Sequence, residues 1–204
     1  MRWRGAWTAA LVGATALLAC EGEPPAAPTL PSAPPEAGTP PPCERIVAIA
    51  VKKRDRNLRA FCEGGEVVEL QVALGRGSLG PKRRVGDEQT PEGRYQISGP
   101  PRGSRFHVFV PIDYPSITDA ELALVEGRVS EPDYHRIIDA HALGLEPPTD
   151  TALGGYLGLH GEGRKWRGKS RDLDWTYGCV GLADEDIDFL AARIAIGTPV
   201  LIEP

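Results

Sequence analysis

Two short stretches toward the C-terminus hold residue types that can do chemistry together. "DWTYGCVGL" sets Cys179 between Gly178 and Gly181, and "YLGLHG" ends on His160 and Gly161. A thiol and an imidazole are the minimal pair for acyl transfer. The imidazole takes the thiol proton, the sulfur attacks a carbonyl, and the proton later passes to a leaving amine. A glycine ahead of the cysteine lets the backbone turn so that successive N–H groups can cradle an oxyanion. The competing reading of Cys179 is a buried apolar thiol or half of a disulfide, since reactive cysteines are a minority.

Other patterns are weaker. Gly75, Gly77 and Gly80 match G-x-G-x-x-G after an expected strand. A dinucleotide site needs a helix to start there, and Pro81 and a polar run follow instead. Asp184, Asp186 and Asp188 alternate like a calcium loop but lack its glycine and distal glutamate, so they read as the acidic start of a helix. His135 and His141 do not share a helical face, and His107 stands alone on a strand. His160 and Cys179 find no third zinc ligand at recognisable spacing. The reading is therefore no metal and no cofactor. C-x-x-C, which a thiol redox protein needs, is absent.

The elements that must position the pair are mostly strands. Apolar runs at 46–51, 58–62 and 67–74 are separated by a charged turn and by Gly64-Gly65. "GRYQISG" and "SRFHVFVPI" add two strands, and "GGYLGLHG" another that delivers His160. Thr118 with Glu121 reads as a capping box for one short helix, and Ser130 with Pro132 starts a second that stops at Gly144. Ile187, Leu190, Ala191 and Ile194 share a face of a last helix, Gly197 stops it, and Val200 to Ile202 close the chain as a strand. The expected class is mainly β, a sandwich or barrel-like sheet with short peripheral helices.

The ends fix the compartment. Residues 1–20 combine Arg2 and Arg4 with an apolar run shorter than the roughly 20 residues that span a bilayer. The run ends in "LLAC", which resembles the bacterial lipoprotein box, with Cys20 as the lipidated residue; an ordinary secretory signal is the alternative. Residues 21–42 are Pro- and Ala-rich, a semi-rigid spacer with nothing to bury. Residues 43–204 are one domain's worth of chain. The formal net charge of −5 argues against nucleic acid or an anionic membrane surface as partner. Outside the cytoplasm unpaired thiols need an explanation. With Cys20 lipidated, Cys43 and Cys62 could be bridged, although the simplest hairpin register does not set them opposite. That pairing leaves Cys179 odd.

Taken together, His160-Gly161 followed by Thr176-Tyr177-Gly178-Cys179 resembles the L,D-transpeptidase (YkuD-type) catalytic domain, with its His-Gly strand end, returning loop and Ser/Thr-x-Gly-Cys. "ALGRGSLGPKRRVGDEQTPEGRYQISG" and "GTPVLIEP" resemble further family segments in the right order. The resemblance implies peptidoglycan stem peptides as partners. Cys179 would attack the carbonyl of the third stem residue, usually meso-diaminopimelate, and expel D-alanine, with His160 as base and acid. N–H groups at Gly178, Cys179 and Tyr177 would hold the oxyanion, with Gly161 beside the substrate. The thioester would pass to an amine of a second stem, giving a 3→3 cross-link, or to a protein lysine. Two positions depart from the commonest family form, which has His before Gly-Cys and Arg or Asn two residues after the cysteine; here stand Tyr177 and Gly181. The acceptor is thereby opened to water, which would make the protein a hydrolase. A non-catalytic wall-binding lipoprotein would have lost the His160–Cys179 pair. The expected location is the periplasmic face, lipid-anchored, and Glu21 rather than aspartate after Cys20 favours the outer membrane.

Overall fold

The computed structural model describes residues 43–77, 79–170 and 172–204. The expected signal segment, Cys20 and the spacer lie outside the described residues. Strand β1 (Ile46–Lys52) buries Ile46, Ile49 and Val51. Three-residue spacing breaks strict alternation, and a register shift between Ile46 and Ala48 restores it: the extra residue turns both isoleucines to one face. In β2 (Asn57–Cys62) Leu58, Ala60 and Cys62 point inward. With β3 (Val67–Gln71), β4 (Gly93–Gln96) and β9 (Pro199–Glu203) these form a five-stranded sheet ordered β3-β2-β1-β9-β4. The chain's last strand therefore lies parallel to its first, in the sheet interior.

A second sheet holds β5 (Arg102–Ser104), β6 (His107–Pro111), β7 (Gly158–His160) and β8 (Val180–Gly181), in that order, with β7 and β8 parallel. Two corners join the sheets. Beyond β3, Ala73 and Gly181 exchange two 2.8 Å backbone hydrogen bonds, and beyond β4, Ile97 pairs with Ile112. Ile49, Leu58, Ile97, Leu159, Leu182 and Ile187, each at most 2% exposed, fill the space between. Mixed sheets with a few short helices are what the strand-rich reading expects.

Helices α1 (Ile117–Val125) and α2 (Glu131–Ala142) form a hairpin around Ala120, Ala123, Ile137 and Leu153. The box that caps α1 is Ser116 with Asp119, not Thr118 with Glu121. Ser116 still has extended backbone and Thr118 is already helical, so only Ser116 can turn its hydroxyl to the open N–H groups. Ser130 caps α2 as expected. A single turn, α3 (Gly163–Trp166), follows β7, and α4 (Asp184–Ala191) buries Ile187 and Leu190. The helix ends before Ile194, which packs on the core from the following turn. The strand expected over "GGYLGLHG" is confined to Gly158–His160.

Cys43 and Cys62 form a disulfide with a Cα–Cα distance of 5.3 Å. Cys62 faces Ile46 in the ladder. The chain ahead of β1 folds back to bring Cys43 to it, which no hairpin register alone provides.

Candidate active site

The β7–β8 register builds the pair. Leu159 is opposite Val180 and His160 opposite Gly181, so Cys179 emerges level with Gly158, two residues before His160 on the neighbouring strand. Leu159 and Val180 point into the core at 1% and 3% exposure. Their neighbours His160 and Cys179 must then point to the other face, because side chains alternate along a strand. Both line one cleft of about 560 Å³ whose walls are largely aromatic.

His160 is held on three sides. Its Nδ1 is 2.7 Å from the Gly161 carbonyl oxygen. A carbonyl only accepts, so Nδ1 carries the proton and Nε2 keeps its lone pair. The ring stacks on Phe106 at 4.7 Å and meets Trp175 edge-on at 5.2 Å. Burial pushes its pKa below the usual imidazole value, against the Gly161 carbonyl, which raises it; the nearby Arg105 charge adds to the lowering.

Gly161 contributes its carbonyl and its lack of a side chain. A Cβ there would lie 2.5 Å from Asp184 Oδ1 and 2.9 Å from the Phe106 carbonyl oxygen. Asp184 Oδ1 accepts from the N–H groups of Glu162 and Gly163, both at 2.9 Å, and so pins the turn after the histidine. The acidic start of α4 is thus a clamp as well as a match to the helix dipole. Asp188, one turn on, is 2.8 Å from His107 Nε2, so that imidazole has a carboxylate partner.

The buried Glu162 organises the returning loop. Its carboxylate accepts from the Ser170 N–H at 2.6 Å and from the Gly168 N–H. Ser170 Oγ in turn accepts from Trp175 Nε1 at 3.3 Å. Trp175 also takes the room beside Gly181, where a Cβ would meet its Cζ2 at 3.1 Å. The indole thus lies, with the Thr176 methyl, beside the position that departs from the commonest family form.

At the cysteine, the Thr176 hydroxyl donates to the Cys179 carbonyl at 2.6 Å and accepts from the Gly178 N–H at 3.2 Å. Gly178 has φ +124°, and a Cβ would lie 2.8 Å from the Gln89 carbonyl oxygen, so only glycine fits. Cys179 is half-buried, with Sγ 4.0 Å from the Tyr156 carbonyl oxygen. Desolvation pushes the thiol up to about 11, while the Gly158 N–H and the Lys82 charge pull the other way. Tyr177 is exposed, under the Arg76 guanidinium at 4.3 Å.

The structure thus gathers Cys179, His160 and Tyr177 on one cleft, with Gly178 and Gly161 shaping its backbone; Cys43 and Cys62 are spent in the disulfide. Phe106, Trp175, Glu162 and Asp184 were not singled out for this site in the sequence. The available signal was the crowding of aromatics around the His and Cys motifs.

Residues 46–202 match the family model described as YkuD, L,D-transpeptidase catalytic domain. Among solved structures, an L,D-transpeptidase from Mycobacterium smegmatis is similar at 11% identity, covering 78% of this chain and 59% of that one, TM-score 0.45. L,D-transpeptidase 3 from Mycobacterium tuberculosis gives 14%, 78% and 61%, TM-score 0.46. Bd1075 from Bdellovibrio bacteriovorus gives 22%, 78% and 48%, TM-score 0.43. The chain spans between 48% and 61% of the length of these three. No curated protein matches the sequence.

Proposed function

We propose that this chain, which belongs to the YkuD family of L,D-transpeptidase catalytic domains, is a cysteine-dependent peptidoglycan L,D-transpeptidase. His160 Nε2 takes the Cys179 proton as Sγ attacks the carbonyl of the third stem residue, usually meso-diaminopimelate. The C–N bond breaks, a thioester forms, and the proton passes from His160 to the leaving amine of D-alanine. An acceptor amine then attacks the thioester and returns its proton to the thiol by the same route. The Gly178 N–H already serves Thr176, so the oxyanion falls to the N–H groups of Cys179 and Tyr177.

The observation that carries this reading is the fixed tautomer of His160, whose Nδ1 is engaged by Gly161 and whose Nε2 lone pair is left for a cleft it shares with Cys179. Export through the N-terminal segment and lipid anchoring at Cys20 belong to the same proposal.

The test is incubation of the full chain with tetrapeptide-rich sacculi, followed by mass spectrometry of the muropeptides. The expected products are D-alanine and 3→3 dimers, both lost with Cys179→Ala and Cys179→Ser while the circular dichroism of the fold is unchanged. Tripeptides without dimers would make water the acceptor and the protein a hydrolase. Turnover by either variant would remove Cys179 from the mechanism.

A further inference from the structure

The cleft holds a guanidinium that the acyl-transfer steps do not use. Arg105 occupies the turn between β5 and β6 and lines the same cleft as Cys179 and His160. It lies over the Phe106 ring at 4.7 Å, and Phe106 stacks on His160 at 4.7 Å. The guanidinium carbon is therefore no farther from the imidazole centre than these two separations combined. Its charge is felt at His160, whose protonated form it disfavours.

Arg105 also differs from the arginines around it. Arg102 pairs with Glu146 at 3.2 Å and Arg76 with Glu88. Among the described residues Arg105 has no ion pair, and no acidic side chain lines the cleft. A charge placed beside the base of a general base mechanism, stacked on an aromatic ring and without an acidic partner, is a receptor for an anion supplied by the substrate.

Chemistry says which anion. His160 must hand its proton to the leaving amine, so the leaving amino acid lies on the His160 side of Cys179. Its own carboxylate is one carbon removed from that amine. Imidazole to amine, amine to carboxylate and carboxylate to guanidinium are each about 3 Å steps. Together they reach about 9 Å, comparable with the two ring separations combined. A donor with one more residue would carry its carboxylate past this point and set an uncharged amide there.

We propose that Arg105 selects donor stems that end one residue beyond the scissile carbonyl, by pairing with the C-terminal carboxylate of the leaving amino acid. It is a specificity-determining residue, and the inference rests on the acyl-transfer reading of the site.

The test separates the contact from the chemistry. The full chain carrying Cys179→Ala is titrated calorimetrically with a synthetic tetrapeptide stem and with its C-terminal carboxamide. The free acid should bind about 10- to 100-fold more tightly, the range for a hydrogen-bonded charge. Adding Arg105→Ala should abolish that preference and leave the carboxamide affinity unchanged, and Arg105→Lys should restore part of it. Equal affinities with Arg105 present, or a preference that survives its removal, overturns the inference. Release of D-alanine by the unsubstituted protein is read separately. Release without a carboxylate preference sinks only the Arg105 contact, and a preference without release sinks the acyl-transfer reading instead.

Discussion

At the scale of the residue, Cys179 and His160 are both pushed toward their neutral forms by burial. A raised thiol and a lowered imidazole describe a pair that exchanges its proton only as the carbonyl is attacked, not a resting thiolate–imidazolium. The sign follows directly. Alkylation by iodoacetamide should climb about tenfold per pH unit through neutrality, because only thiolate reacts and its fraction grows until about pH 11. Tetrapeptide turnover should persist below the ordinary imidazole value of about 6.5 and fall once His160 is protonated. A flat alkylation rate between about pH 6 and 8 would mean a preformed ion pair and a different activation of the sulfur. Much of this scale was legible in the sequence. A histidine and a cysteine, each beside a glycine, carry their chemistry in their residue types. The role of Gly161 was less so, because the carbonyl that engages His160 Nδ1 leaves no mark in the sequence. Arg105 and Phe106 are more than fifty residues from His160 in sequence, and no local pattern ties a turn in one hairpin to the end of another.

At the scale of the element, apolar runs between turn residues revealed the strands, and helix existence followed from polar caps and glycine stops. Ends were harder. The cap of α1 depends on how the chain enters the helix. The long segment between β3 and β4 read as loop and is one, yet its order comes from contacts the sequence does not display. Lys53, 1% exposed, donates to the carbonyls of Gly80 and Thr90 at 2.5 and 2.7 Å and to Glu92 at 2.9 Å. Asp87 gathers Lys82 and the N–H groups of Arg83, Arg84 and Gln89. This loop reaches the site, since the Gln89 carbonyl is what excludes a side chain at Gly178. Lys53→Met leaves Glu92 and two carbonyls without their donor in a dry place. It should cost on the order of 3 kcal/mol in chemical denaturation and lower turnover as well. A loss under about 0.5 kcal/mol, the usual range for a surface change, would mean that the loop is ordered by something else.

At the scale of the whole molecule, the described cysteines divide into one bridged pair and one free thiol. Cys43–Cys62 closes a loop of 19 residues at the N-terminal edge of the described fold, a constraint worth about 3 kcal/mol by chain entropy. Such a bond persists where the surroundings oxidise, the condition that the proposed export would supply, and it contrasts with Cys179, the one free cysteine among the described residues. The proposed anchor completes this arrangement. Lipid on Cys20 would hold the chain at a bilayer, and the Pro-rich spacer at ~3 Å per residue would reach on the order of 60 Å toward a substrate that is a fixed polymer. Cys43 follows the Pro-rich segment in the sequence, and its disulfide fastens the chain ahead of β1 to β2. Cys20→Ala should therefore move the protein from the detergent-extractable membrane fraction to the soluble one and leave tetrapeptide turnover unchanged, because no catalytic group depends on the anchor. Membrane retention of Cys20→Ala, seen by fractionation and immunoblotting, would replace the lipid anchor with an uncleaved N-terminal helix. Lost turnover in a released, folded protein would mean that the tether takes part in presenting the site.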